Sequence, residues 1–364
     1  MIKFFLRSQL KDTHISLEQI AGYLSLGGII AYLIGGSITY AFSKKQIALY
    51  VGYITIVCLL IGTIIGYHPF GIFALLTSSI GICYSLRLIT KSIILSIEIQ
   101  QKPYGETKTN GIVNIAILIG IIVGSFLGFA VFNARGNNGI YSIIGILLGA
   151  NILMTYTNYD THFQKKNIIT TIKTTIPNIM GITKKYIRLL LPIGTLRAVS
   201  TAMGQKMLEI GIYYFQKTTT NTVTIILLSF VGAIIGHIIS MFFKKHRKLI
   251  ATLFTIFLGF ATIYFPHIIN KFEYFITLQI FGLCIGIFFG IAVNLLEGRY
   301  FFHIGEDHRK EYGSAAYGII ISSMIFIIMI LSDYLTNTIG STISFFFFGF
   351  LLILMPFFIK KFDT

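Results

Sequence analysis

Charged side chains inside long apolar stretches are the first candidates for chemistry, because a charge in hydrocarbon is costly and persists only with a partner or a use. Four cations fall inside such stretches here: Arg87, Arg188, Arg197 and Lys206. Arg197 lies eleven residues after Tyr186, about 16 Å along a helix and so close to mid-bilayer. That depth allows two roles: a cation lining a polar cavity, or a structural partner of a backbone carbonyl or an acid elsewhere. Lys206 and Glu209 are three residues apart, the spacing of a helical ion pair, and are the candidates for a coupling or ion-pair role. Nine residues at 100° turn Lys206 to the opposite face from Arg197. Arg87, near the cytoplasmic end of its stretch, either snorkels or lines the cavity, and Gln279 either lines a pathway or bonds between helices. Both join Arg197 as candidate substrate-binding residues. Gln205 and Asn294 are polar residues that line a pathway or bond between helices, and His237 reads as an interhelical hydrogen bond. Among the acids, Glu209 comes closest to a mid-membrane carboxylate, while Asp333 and Glu297 sit towards the ends of their stretches.

The elements that must position these groups are membrane spans. The 364 residues are 55% hydrophobic and only 12% charged, against about 25% charged in soluble domains, and the mean hydropathy is +0.80. A net charge of +16 on so apolar a chain is expected of cytoplasmic loop anchoring rather than of nucleic-acid binding. Eleven stretches reach spanning length: 18–43, 46–66, 69–92, 111–132, 139–155, 186–215, 221–243, 249–266, 274–297, 314–333 and 339–358. They are continuous Ile/Leu/Phe/Gly runs without the alternation of a barrel strand. Two connections, 93–110 and 156–185, are longer and polar. Residues 1–17 lack signal-peptide organisation. The expected fold class is an all-α polytopic membrane protein.

Orientation follows from the loops. Of the 29 Lys and Arg, 19 fall on one face and six on the other, with four inside spans. The richer face is the cytoplasmic one, so the C-terminus is inside and the N-terminus outside a cell (inner) membrane.

Internal repetition explains this arrangement. Residues 34–45 (IGGSITYAFSKK) align without gaps on 234–245 (IIGHIISMFFKK), matching Gly36 with Gly236, Phe42 with Phe242, and Lys44-Lys45 with Lys244-Lys245. Gly81-Ile82-Cys83 matches Gly282-Leu283-Cys284, and Gly111 matches Gly313. The offset drifts only from 200 to 202. Two similar halves are therefore expected: residues 1–155 with five spans, a central cytoplasmic loop 156–185, and residues 186–364 with six. Subtracting the offset puts the missing first span across Met1, which predicts a twelve-span design lacking most of its first helix, through truncation or a misplaced start codon. Gly120, Gly124 and Gly128, then Gly282, Gly286 and Gly290, and Gly232 with Gly236, form stripes of the kind that let helix backbones approach closely. The turns carrying Gly36, Lys44 and Lys45 and Gly236, Lys244 and Lys245 are either candidate gates, their cations docking on helix C-termini or acids in one conformation, or cytoplasmic positive-inside anchors alone.

Two six-helix halves, a long central loop and paired Gly-to-basic turns resemble the major facilitator superfamily. Within it, Lys91-Ser92-Ile93-Ile94-Leu95 leading to Asn110-Gly111, and Asn294-Leu295-Leu296-Glu297, are similar to the bacterial lysophospholipid transporter branch. Tyr40 stands where the family turn has an aspartate. The resemblance implies a central cavity lined by 69–92, 186–215 and 274–297, which carry Arg87, Arg197 and Gln279.

The expected function is secondary active transport of a small organic solute or amphiphile, such as a lysophospholipid-like molecule, by alternating access of the two half-bundles. The rival reading is a non-transporting remnant or partner subunit. No phosphate-binding loop, nucleophile–base constellation or metal cluster stands out, so neither enzyme activity nor a cofactor or metal is expected. The partners are the lipid bilayer and the substrate, not nucleic acid, and the chain is expected to be a monomer.

Overall fold

The computed structural model describes residues 17–41, 44–65, 105–135, 144–150, 168–211, 219–243, 245–272, 275–306 and 310–358, with interrupted helical stretches within 78–99 and residue 152. Among the described residues there is no strand. Nine helices have defined bounds: α1 Leu17–Ala41, α2 Lys44–Ile65, α3 Glu106–Arg135, α4 Ile168–Glu209, α5 Thr219–Met241, α6 Arg247–Phe272, α7 Phe275–Glu306, α8 Lys310–Thr338 and α9 Ser341–Leu354, the last ending in a 3-10 turn Met355–Phe357. Helix is the form that satisfies every backbone N–H and C=O within one segment when no water is present. Four of the described helical segments are long and apolar enough to cross a bilayer, among them Arg247–Ile269, Phe275–Gly305 and Lys310–Thr338. The chain is an all-α, multi-pass membrane protein.

Three boundaries depart from the sequence reading, and each matters to the site. Helix α3 starts at Glu106, five residues before the predicted start at Gly111. Gly105 has φ +80°, a conformation glycine adopts freely, and the Thr109 N–H donates to its carbonyl at 3.2 Å to open the helix. Glu106 in the first turn complements the positive end of the helix dipole. Asn110-Gly111 thus lies inside the helix, and Glu106, Asn110 and Asn114 fall one turn apart on one face. Helix α7 runs on to Glu306, placing Glu297 nine residues within it rather than at its end. Helix α4 begins at Ile168, so part of the predicted loop 156–185 is helical. Extending a helix already formed adds one bond per residue fixed, and the helix here continues through both Pro177 and Gly181.

The chain divides into two compact units, described here separately. Unit 1 comprises Met1–Ile94, Val123–Lys185 and Asp307–Phe326. In it, α1 lies so close to the 78–99 segment that a Cβ on Gly27 would strike the Ser78 carbonyl, and one on Gly81 the Leu24 carbonyl. Gly318 of α8 seats the ring of Tyr32. Unit 2 comprises Leu95–Ile122, Tyr186–Glu306 and Ile327–Thr364. Its spine is the α5–α7 pair, where Gly232, Gly236, Gly286 and Gly290 each face a backbone carbonyl of the other helix: Leu283, Ile287, Ser229 and Ala233. This is van der Waals packing of small residues, the main source of helix association where lipid is as apolar as the side chains. Helices α6 and α9 meet similarly through Gly259 and Gly349. Phe265 fills the remaining space, its ring centroid 4.1 Å from that of Phe281 and 4.9 Å from that of Phe345.

Gly81 packs on α1, and its repeat partner Gly282 packs on Ile225 and Ser229 of α5. The glycine stripe of α3 behaves otherwise: a Cβ on Gly120 would meet nothing within 4 Å, so close packing does not explain that position. The surroundings of Gly124 and Gly128 lie outside the described residues.

Candidate functional site: a buried ion pair beside an asparagine hub

Several buried polar side chains of unit 2 lie where α3 meets α7, among them Asn110, Asn114, Asn294 and Glu297. At the centre is Glu297, 2% exposed in its side chain. Its Oε1 accepts from Arg197 Nε at 2.9 Å and from Arg197 Nη2 at 2.7 Å, and its Oε2 accepts from Asn114 Nδ2 at 3.2 Å. Three helices therefore converge on one carboxylate: α4 supplies the cation, α7 the anion and α3 an amide. The guanidinium is 31% exposed and lies 5.5 Å from the ring centroid of Phe289, one of the aromatic faces on which guanidinium groups rest. Nε and Nη2 of Arg197 share this one carboxylate oxygen.

One helical turn along α3 is a hub built on Asn294, which is fully buried. Its Oδ1 accepts from Asn110 Nδ2 at 2.8 Å, while its Nδ2 donates to the Thr107 carbonyl at 3.0 Å and to Ser240 Oγ at 2.6 Å. Ser240 in turn donates to the His237 carbonyl at 2.7 Å. A buried amide costs free energy unless its donors and acceptors are satisfied, and here they join α3, α5 and α7. Close approach is required for this: a Cβ on Gly111 would meet Asn294 Nδ2 and Met241, and one on Gly298 the backbone of Glu106 and Thr107. Another turn along, Glu106 Oε1 pairs with Arg247 Nη1, and Arg299 Nη1 stands 4.0 Å from the same oxygen.

The predicted residues are distributed as follows. Arg197 meets the acid that one of its two sequence readings required, Glu297. Lys206 and Glu209 form their expected i,i+3 pair at 3.0 Å, with Lys206 buried. Gln279 Nε2 donates to Thr224 Oγ1 of α5 at 2.6 Å, an interhelical bond. Arg87 and Lys244 lie outside the described residues, as do the surroundings of Gly36, Lys44 and Lys45. Gly236 is packed on α7. Lys245 is exposed, and the cation of that turn that docks on an acid is Arg247, which also donates from Nε to the Phe243 carbonyl at 3.1 Å. Sequence reasoning passed over Glu106, Asn110, Asn114 and Arg247. The four-residue spacing of Glu106, Asn110 and Asn114 was the signal, hidden because the segment reads as a polar loop.

The sequence matches no protein-family model and no curated protein. Solved structures are similar over nearly the whole chain. The human organic anion transporter MFSD10 (TETRAN) aligns with a TM-score of 0.71 at 10% identity, covering 98% of this chain and 88% of that one. The major facilitator superfamily proton:xylose symporter XylE aligns at 0.69 and 12% identity, covering 98% and 89%. The E. coli fucose:proton symporter FucP aligns at 0.65 and 12% identity, covering 98% and 94%. At such identities the likeness is one of fold. The chain has the fold of the major facilitator superfamily transporters.

Proposed function

We propose that the chain is a secondary active transporter of a small organic anion or anionic amphiphile, working by alternating access of residues 1–155 and 186–364 about the Arg197 region. The observation that carries this reading is a partly exposed Arg197 side chain paired with a buried carboxylate, next to bonds that link the two sequence halves. Helix α3 belongs to the first half and α5, α6 and α7 to the second. Asn110–Asn294, Asn114–Glu297 and Glu106–Arg247 tie them together. Rocking of the halves breaks these bonds in one state and forms them in the other, with Glu106–Arg247 acting as the gate expected of the Gly236 turn. A solute carboxylate or phosphate engages Arg197 by charge-assisted hydrogen bonds. The fold likeness to a protein described as an organic anion transporter supports the same substrate class. The two patches similar to lysophospholipid transporters meet each other at Asn110 and Asn294, so an anionic lysophospholipid is the amphiphile we put first. We place the chain as a monomer in the cell (inner) membrane with its C-terminus cytoplasmic.

The test is uptake by proteoliposomes containing the full chain. Benzoate and lysophosphatidylglycerol represent the anions, xylose a neutral solute and tetraphenylphosphonium a cation. Saturable uptake of an anion is expected. Uptake confined to xylose or the cation overturns the anion assignment, and no uptake of any probe favours the non-transporting reading.

A further inference from the structure

We propose that Lys184 and Arg188 of α4 form a binding site for an anionic phospholipid, holding its phosphate at the membrane boundary on the side from which α4 enters. The site is separate from Arg197 and does not depend on which solute is carried.

Of the four cations inside apolar stretches, two have found their acids: Arg197 pairs with Glu297 and Lys206 with Glu209. Arg87 lies outside the described residues. Arg188 is exposed, and its side chain makes no ion pair among the described residues. Its own helix offers no acid before Glu209. A charge at the edge of the hydrocarbon persists only with a partner, so the partner of Arg188 comes from outside the chain.

Depth and direction say what that partner is. Arg188 lies nine residues before Arg197, about 14 Å along the helix axis. With Arg197 near mid-bilayer, this is the boundary of hydrocarbon and headgroups, about 15 Å from the centre. Tyr186 fixes how this turn faces. Its ring stacks on that of His303 at 6.1 Å and meets the buried Tyr300 edge-on at 5.9 Å, both on α7. Two residues at 100° turn Lys184 and Arg188 alike to the opposite side of α4, where they stand one turn apart. Lys184 and Lys185 are exposed, whereas Ile182, Leu189 and Leu190 of the same turns are buried. The packed side of α4 is therefore that of Tyr186, and the cationic side points away from it.

An outward face at this depth borders lipid, and the lipid group that pairs with a cation there is the phosphodiester. A zwitterionic lipid brings its own cation to the same place, and an anionic lipid such as phosphatidylglycerol does not. A run of cations without an acid on its helix therefore selects the anionic lipid. The guanidinium gives the phosphate two parallel N–H bonds. Lys184 adds a second charge from the water side, and both long stems lie along apolar surface. Each basic residue at an anionic membrane surface is worth about fivefold in affinity.

The experiment is native mass spectrometry of the purified full chain in neutral detergent, titrated with phosphatidylglycerol or phosphatidylcholine. Phosphatidylglycerol is expected to bind at least about tenfold more tightly. Arg188→Gln and Lys184→Gln each weaken it by about fivefold and leave phosphatidylcholine unchanged. Arg188→Lys, which keeps the charge, restores binding, and Lys248→Gln and Arg197→Gln leave it intact. Equal affinity for the two lipids overturns the proposal. So does a loss in Lys248→Gln as large as in Arg188→Gln, the sign of diffuse attraction to any surface cation. A loss confined to Arg197→Gln places the lipid at the transport site and overturns it too. Displacement of the lipid by millimolar inorganic phosphate removes lipid as the occupant. If Arg188→Gln does not fold, Lys184→Gln and the lipid preference of the unaltered chain decide.

Discussion

Removing one member of the Arg197–Glu297 pair should cost very different amounts depending on which is removed. Arg197→Leu leaves a carboxylate that is 2% exposed beside the Asn114 amide. Losing one partner of a buried pair costs about 3–5 kcal/mol, because the remaining charge is left buried without its counter-charge. Glu297→Leu instead leaves a cation that is 31% exposed and rests beside Phe289, and should cost about 1 kcal/mol. The double Leu variant replaces ions with apolar groups and should cost no more than about 1 kcal/mol, giving a coupling of about 3 kcal/mol at pH 7. Equilibrium unfolding in mixed detergent with SDS at pH 7 measures all three. Equal costs for the two single variants would refute the reasoning.

Three further outcomes follow from the packing. Asn294→Leu removes three side-chain hydrogen bonds at about 0.6 kcal/mol each in a membrane protein, so the same unfolding assay should show a loss of about 2 kcal/mol. Gly286→Leu drives a side chain into the Ser229 carbonyl and should abolish the monodisperse peak in size-exclusion chromatography, whereas Gly120→Ala, which meets open space, should leave it intact. Glu106→Gln releases Arg247 from its ion pair and shifts the halves towards the state in which α3 and α6 are apart. A cysteine in place of the buried Thr109, in a chain whose Cys58, Cys83 and Cys284 are serine, should then react with maleimide severalfold faster.

The fold was readable because its signal is redundant. Every span repeats the same apolar composition, so the all-α membrane class is legible without reference to any single contact. Gly232, Gly236, Gly286 and Gly290 were legible for the same reason, since periodicity every fourth residue marks one helical face. The site was only partly readable. Depth along the helix singled out Arg197, but nothing in a linear sequence says which acid it meets. Glu297 was discounted because the apolar run ends beside it, although hydrogen bonding carries α7 on to Glu306. Glu106 and Asn110 fall in a polar stretch that reads as a loop, within five residues of the predicted helix start, whereas Asn114 lies inside the predicted span with nothing in the sequence to name its partner. Polar residues that pair across helices dilute the hydropathy that defines a span, so a site of this kind erases its own signal. Gly120 shows the converse: a stripe can be regular without a neighbour to pack on.

The most direct test of the central claim is anion uptake by proteoliposomes containing Arg197→Gln, compared with the unaltered chain at equal folded protein. Glutamine retains hydrogen-bond donors and removes the charge. If Arg197 binds the transported anion, initial uptake at subsaturating anion falls by at least about tenfold, the equivalent of one charge-assisted hydrogen bond of about 1.4 kcal/mol or more. Uptake unchanged in rate and in half-saturating concentration would contradict the account and leave Arg197–Glu297 as a structural pair alone.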